Sequence, residues 1–381
     1  MDNQPQDKQT EEKIDQTQLE DDSTPARESS DSRWAFLKSK KFWSITLAVI
    51  AIVGAGLFFW LKEDNQAQQQ ANQQTEDTPQ AEETIDTSEQ NHVDVTKLPL
   101  GNDMYSTSVK QGYVYSCQTS YNGGGAFTEG SWIDSEHGTW DLTKKISVDG
   151  NVSWPSAAWS ANATSQTRKI TSKDLPVSHN TGVFPVSSED DAYSVDRNPN
   201  SIKAQTISFN VPKNPMQLSS PQCIGGEVGI ALSGVLIFNA FDAGGRDAVA
   251  TEVQDKCQGH PQEGSYYHYH GYSSCFEDKS GDGEHSDLLG YAFDGFGIFG
   301  LKGENGVELS SQDLDECHGH THIINWDGQE VKMYHYHFTQ DFPYTVACFR
   351  GQPSVKALSS NGGGQQMPAK PDVPPPGGPN I

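Results

Sequence analysis

The chain has 381 residues, room for one large domain or two ordinary ones with tails. Its 26 Lys and Arg against 51 Asp and Glu give a net charge of -25. That balance excludes nucleic acid or an anionic lipid surface as the main partner, since both select a basic face, and it favours solubility and a raised local concentration of cations.

Residues 1–41 are polar and charged and read as a disordered cytoplasmic tail, because they cannot bury enough surface to offset the entropy of ordering. Residues 42–61 carry no charge, and at about 1.5 Å per residue they span a hydrocarbon core of roughly 30 Å. Trp43 and Trp60 stand near the two ends, where amphipathic rings prefer the headgroup layer. Arg33, Lys38, Lys40 and Lys41 precede the segment, and Lys62 follows it. This predicts a single-pass, uncleaved helix in the cell membrane, N-terminus in the cytoplasm and C-terminal domain outside. The membrane is therefore the one partner the sequence assigns; a protein or small-molecule partner is not legible. Residues 62–98 form a Gln/Glu/Asp/Thr-rich linker, and 356–381 a Gly/Pro-rich disordered tail.

Between them, 99–355 is expected to be a mainly β ectodomain with few short helices. Ile207-x-Phe209-x-Val211 alternates as a strand does, and so does Tyr113-x-Tyr115-x-Cys117. Ile146-x-Val148, Asp149-Gly150 and Val152-x-Trp154 read as a β-hairpin, and 311–316 as a short helix.

Six cysteines all lie beyond residue 110: Cys117, Cys223, Cys257, Cys275, Cys317 and Cys348. No Cys-x-x-Cys occurs, which excludes zinc-ribbon and thioredoxin chemistry, and the even number fits three disulfides in an oxidising compartment. No Gly-x-Ser-x-Gly, P-loop or dinucleotide fingerprint is present.

The C-terminal half repeats itself, in units of about 225–280 and 286–351. Gly229–Phe238 aligns with Gly290–Phe299, and Asp255-x-Cys257-x-Gly259-His260 with Asp315-x-Cys317-x-Gly319-His320. Tyr267-His268-Tyr269-His270 aligns with Tyr334-His335-Tyr336-His337, and Cys275 with Cys348. Each copy thus has one Cys before and one after its His pair. Cys257–Cys275 and Cys317–Cys348 would each close a repeat, leaving Cys117–Cys223, although six cysteines allow fifteen connectivities.

In a strand, residues i and i+2 share a face. His268 with His270, and His335 with His337, therefore present paired imidazoles, while the interleaved tyrosines pack on the opposite face. His260 and His320 would complete a third position in each repeat. Three neutral imidazoles suit a divalent transition metal such as zinc, copper, iron or nickel. Asp255 and Asp315 are candidates to orient a ligand imidazole. His318 and His322 belong to the second copy alone and are weaker candidates. Asp278-x-Ser280-x-Asp282-Gly283 starts like a calcium loop but has Leu289 where an EF-hand needs Glu, so it reads as a solvated turn.

These motifs resemble the YHYH domain family. The resemblance rests on Asp255–His260, Tyr266–Gly271, Leu288–Gly300, Leu314–His320, Tyr334–His337 and Pro343–Gly351. Leu175-Pro176-x-x-His179-x-x-Gly182-x-Phe184-Pro185 and Asn198-Pro199-Asn200-Ser-Ile202-x-x-Gln205 extend it over about 170–351. It implies a secreted or membrane-anchored protein without an assigned activity, and adds His179 as an extra ligand. Departures are Phe338 against Gly271, and Ser233 against Asp294. Two functions compete: an extracytoplasmic metal-binding protein, enzymatic or not, and a non-catalytic surface interaction module whose His and Tyr are structural.

Overall fold

The computed structural model describes residues 93–354 except Thr119 and Asn122. The expected membrane span at 42–61, the tails and the linker up to residue 92 lie outside the described residues. Among the described residues, no helix is long and apolar enough to cross a membrane.

Five two-residue strands open the fold: β1 (Leu98–Pro99), β2 (Tyr105–Ser106), β3 (Val114–Tyr115), β4 (Ile133–Asp134) and β5 (Thr139–Trp140). β1 starts one residue before the expected boundary because Leu98 is fully buried, paired with Trp140. Next come β6 (Trp159–Ala163), β7 (Thr167–Ser172) and β8 (Ile207–Pro212), an antiparallel three-stranded sheet. In β8 the alternation holds: Ile207, Phe209 and Val211 are buried, and the Phe209 ring meets Phe293 edge-on at 4.9 Å between centroids. Among the described residues helix is scarce: one four-residue α-helix, Ala248–Thr251, and short 3-10 turns that include Ser311–Asp313.

The main sheet contains β9 (Glu227–Ala231), β10 (Leu236–Phe238), β11 (Gly259–Pro261), β12 (Tyr267–Tyr269), β13 (Leu288–Ala292), β14 (Gly297–Phe299), β15 (Gly319–Trp326) and β16 (Gln329–His337). Its order is β11-β12-β10-β9-β13-β14-β16-β15. The four central strands are apolar and buried on nearly every residue, as strands covered on both faces must be. The order reads the same outward from the β9/β13 junction. There Ile230 pairs with Tyr291, and the two halves continue in matched register: Ile237 opposite Tyr269 and Ile298 opposite Tyr336, His260 opposite His268 and His320 opposite His335. A pseudo-twofold axis thus passes between Ile230 and Tyr291 and sends the two Tyr-His-Tyr-His strands towards opposite edges.

The expected hairpin at 146–154 does not form. Val148 bridges to Asp255 and Val152 to Thr181, so the two arms pair with different segments instead of with each other. The turn between them is held by the segment that pairs with Val152: a side chain at Gly150 would run into the backbone of Val183 at 2.6 Å. The strand pattern at 113–117 also differs in phase, because Val114 and Ser116 are the buried residues.

Three disulfides join Cys117–Cys223, Cys257–Cys275 and Cys317–Cys348, and no cysteine is free. The second and third each close one half of the sheet onto its Tyr-His-Tyr-His strand. Opening the 31-residue loop of Cys317–Cys348 by a double Ser substitution is expected to cost about 4 kcal/mol in urea unfolding, from the restored entropy of the unfolded chain. A loss below ~1 kcal/mol would show that the unfolded chain already keeps the ends of this loop together without the bridge.

Candidate metal centres

The two faces of each Tyr-His-Tyr-His strand do different work. On one face the tyrosines anchor the turns. Tyr267 donates to Asp255 at 2.9 Å and Tyr334 to Asp315 at 2.9 Å. Tyr336 donates to Asp294 at 2.6 Å, and at the matching position Tyr269 meets Ser233 at 3.2 Å. The departure Ser233/Asp294 thus falls on a pair of tyrosine partners. Asp255 and Asp315 are corrected here: neither orients an imidazole. Asp255 also accepts from the amides of Gly182, Cys257 and Gly259, and Asp315 from those of Cys317 and Gly319. Each carboxylate faces the tyrosine side and ties the Cys-x-Gly turn, which leaves it no ring to hold. Gly182 is required for this contact, since a side chain there would come within 2.9 Å of Asp255 Cβ.

His179 is corrected as well. Its Nε2 lies 2.6 Å from the Tyr269 hydroxyl, on the tyrosine face and away from the other histidines. Its nearest ligand-type neighbours are Cys257 and Cys275, whose sulfurs are bonded to each other and so cannot ligate as thiolates.

On the other face the imidazoles converge in two groups, one at each end of the sheet. His260, His268 and His270 form the first; His320, His335 and His337 join His285 and His322 in the second. Five strand spacings of about 4.8 Å separate β12 from β16, so the groups are separate, on the order of 24 Å apart.

In the first group His268 and His270 bring their Nε2 atoms to 3.0 Å. His270 Nδ1 faces the Asn239 carbonyl at 2.5 Å, and His268 Nδ1 faces that of Tyr266 at 3.3 Å. A carbonyl only accepts, so each Nδ1 carries the proton and each Nε2 is a bare lone pair. His260 is buried and makes no hydrogen bond through either nitrogen. Glu252 completes the group, its Oε2 3.6 Å from His260 Nε2 and 3.7 Å from His270 Nε2. Burial, together with neighbouring Asp196 and Asp242, pushes the Glu252 carboxyl well above its ordinary range. Burial likewise pushes His260 and His268 well below theirs and His270 down to about 4.

The second group follows the same plan with more rings. His337 Nδ1 faces the Gly300 carbonyl at 2.6 Å and His335 Nδ1 that of Met333 at 3.0 Å, the positions equivalent to Asn239 and Tyr266. His285 and His322 turn their Nδ1 to the carbonyls of Ser286 and Ile323, at 2.7 and 2.8 Å. Four bare Nε2 atoms therefore point inward. His337 Nε2 lies 3.1 Å from both His285 and His320 Nε2, and His335 Nε2 lies 3.2 Å from that of His322. Burial lowers His285 and His320 to about 4 and His335 to about 2, so these rings are neutral at physiological pH.

Lone pairs facing one another at this distance repel unless a cation lies among them. Donors about 2.0–2.1 Å from one ion stand roughly 3.0–3.4 Å apart, which these spacings match. The residues present therefore fit a metal ion: the histidine ligand atoms of each group lie within 4.8 Å of one another, and the orphaned His260 gains the partner that it lacks.

Two members, His285 and Glu252, carry no signal in the sequence, and His322, a weaker candidate there, joins the second group. His322 follows His320 by two residues on β15, the same spacing that marked the Tyr-His-Tyr-His pairs. His285 arrives from a loop, and Glu252 from the end of the short helix, with no motif to flag either. His318 stays outside the groups and meets Thr339 Oγ1 at 3.0 Å. Asp278 accepts from Ser280 and from the amide of Asp287, so its loop closes on itself as a turn.

Fold and side chains together define a disulfide-stapled, mainly β domain with a histidine group at each end of one pseudo-symmetric sheet. The family model described as YHYH protein matches residues 208–310, which run from β8 through the first Tyr-His-Tyr-His strand to β14 and beyond. No curated protein and no solved structure matches the chain.

Proposed function

We propose that this is a membrane-anchored extracytoplasmic protein whose internally duplicated domain binds two transition-metal ions, one in each half. The first ion would be held by His260, His268, His270 and Glu252, and the second by His320, His322, His335, His337 and His285. The observation that carries this reading is the tautomer lock. Six rings give their Nδ1 protons to backbone carbonyls and aim bare Nε2 atoms into two points. A purely structural role for these rings would spend both nitrogens on hydrogen bonds, as the tyrosine hydroxyls do on the opposite face. Imidazole donors with at most one carboxylate suit zinc, copper or iron better than magnesium or calcium, which prefer oxygen. A bound ion would supply Lewis acidity at the histidine face. The three disulfides agree with an oxidising, extracytoplasmic compartment. The uncharged segment 42–61 supplies the anchor.

X-ray absorption on the zinc-loaded protein tests this. The expected first shell is nitrogen-dominated at about 2.0–2.1 Å with imidazole outer-shell scattering. An oxygen-only shell typical of hydrated zinc would overturn the reading.

A further inference from the structure

The two centres differ in how they meet solvent. His260, His268 and His270 are 2–3% exposed, the Glu252 side chain beside them is 13% exposed, and the Phe238 ring lies against His268 at 4.2 Å between centroids. Close by, the buried Lys145 ammonium is tied to the Val249 carbonyl and to Gln254 Oε1. The second centre is half open: His285 and His320 are both only partly buried. His285 also forms part of the wall of a cleft of about 1040 Å³. That cleft carries Glu277, Glu284, Asp287, Asp327 and Glu330 in its lining; Asp327 is paired with Arg168 and Lys213 and Glu277 with Lys279, which leaves a net acidic wall. A concave surface with a net excess of one sign focuses the field and raises the local concentration of the opposite ion.

Resting on the metal reading above, we infer that the five-histidine centre is the exchangeable one, loaded with a divalent cation through the acidic cleft, while the three-histidine–glutamate centre, its three imidazoles buried, keeps its ion as long as the fold persists. The cation is the ligand of the cleft, and His285 is the side chain that belongs to both cleft and centre. Glu277 and Glu330 are exposed residues of the lining, placed to steer the ion without ligating it.

The test uses the full chain, loaded with zinc and mixed with excess EDTA while released zinc is followed. Two equivalents are expected to leave in two phases, the fast one at least ~100-fold quicker than the slow one, which is limited by unfolding. His285→Ala should accelerate the fast phase alone. Glu277→Gln with Glu330→Gln should slow zinc loading of that phase severalfold and flatten its salt dependence, with both amplitudes kept. His335→Ala with His337→Ala should abolish the fast phase. Release of both equivalents at one rate, acceleration of the slow phase by His285→Ala, or loading unchanged by the two Gln substitutions would overturn the assignment. Those three readouts need no folded double His variant. Binding of less than about a tenth of an equivalent would instead overturn the metal reading itself.

Discussion

Acidification from pH 7 to pH 5 is expected to lower the melting temperature of the metal-free protein by about 5 °C. The cause is the set of buried imidazoles. Their folded values lie below the ordinary histidine value, about 4 for His270, about 3 for His318 and about 2 for His335. The unfolded chain therefore binds more protons than the folded one over this range, so stability is full above about pH 6.5 and falls as the pH drops towards the folded values. At pH 5 a ring such as His270 contributes a loss of about 2 kcal/mol. Asp247 and Asp294 act the other way, because burial raises each to about 6 and protonation relieves a buried charge on acidification. Each returns about 1 kcal/mol between pH 7 and 5, and Asp174, Asp196, Glu227, Glu252, Asp255 and Asp315, also raised by burial, add to that offset, so the net fall is only the excess of the histidine losses over these gains. A calorimetric series that showed a flat or rising melting temperature between these pH values would mean that the rings are solvated or already charged in the folded state.

Chelation at pH 7.5 is expected to act in the same direction and more strongly. An ion present at a thousandfold excess over its dissociation constant stabilises by about 4 kcal/mol per site. For a domain of this size that amounts to roughly 10 °C or more for each centre. Adding EDTA to the zinc-loaded protein should therefore produce a large drop in melting temperature, restored by zinc and not by magnesium. The two effects are coupled: the ion occupies the lone pairs that protons would take, so the zinc-loaded protein should resist acid until the pH at which the metal is released. An unchanged melting temperature after exhaustive chelation would leave the histidines as structural groups.

Much of this was legible in the sequence, and the reasons can be traced to particular residues. Alternation in a strand is a local property, so His268/His270 and His335/His337 could be placed on one face and their tyrosines on the other before any fold was known. The duplicated order of motifs carried the disulfide pairs with it, because each cysteine kept its place relative to its Tyr-His-Tyr-His strand. Other features depend on tertiary placement. Asp255 precedes His260 in sequence, yet the turn it ties faces the tyrosines. His179 was drawn in by its motif and came to rest on the Tyr269 hydroxyl. The Asp149-Gly150 turn looked like a hairpin, but the arms found other partners in Asp255 and Thr181. His285 and Glu252 reach the centres from a loop and from the end of a four-residue helix, where no periodicity operates. His322 was in reach of the same i, i+2 argument as its neighbours. It ranked as a weaker candidate because the aligned first copy has Gln262 at that position.

The central claim, two ions held separately by the two halves, is tested most directly by elemental analysis of the purified chain beside two double variants. The wild-type protein should carry two equivalents of transition metal, and His268→Ala with His270→Ala one. His335→Ala with His337→Ala should also carry one, with circular dichroism confirming that each variant is folded. Less than about a tenth of an equivalent in the wild type, or loss of all metal from either folded variant, would contradict it.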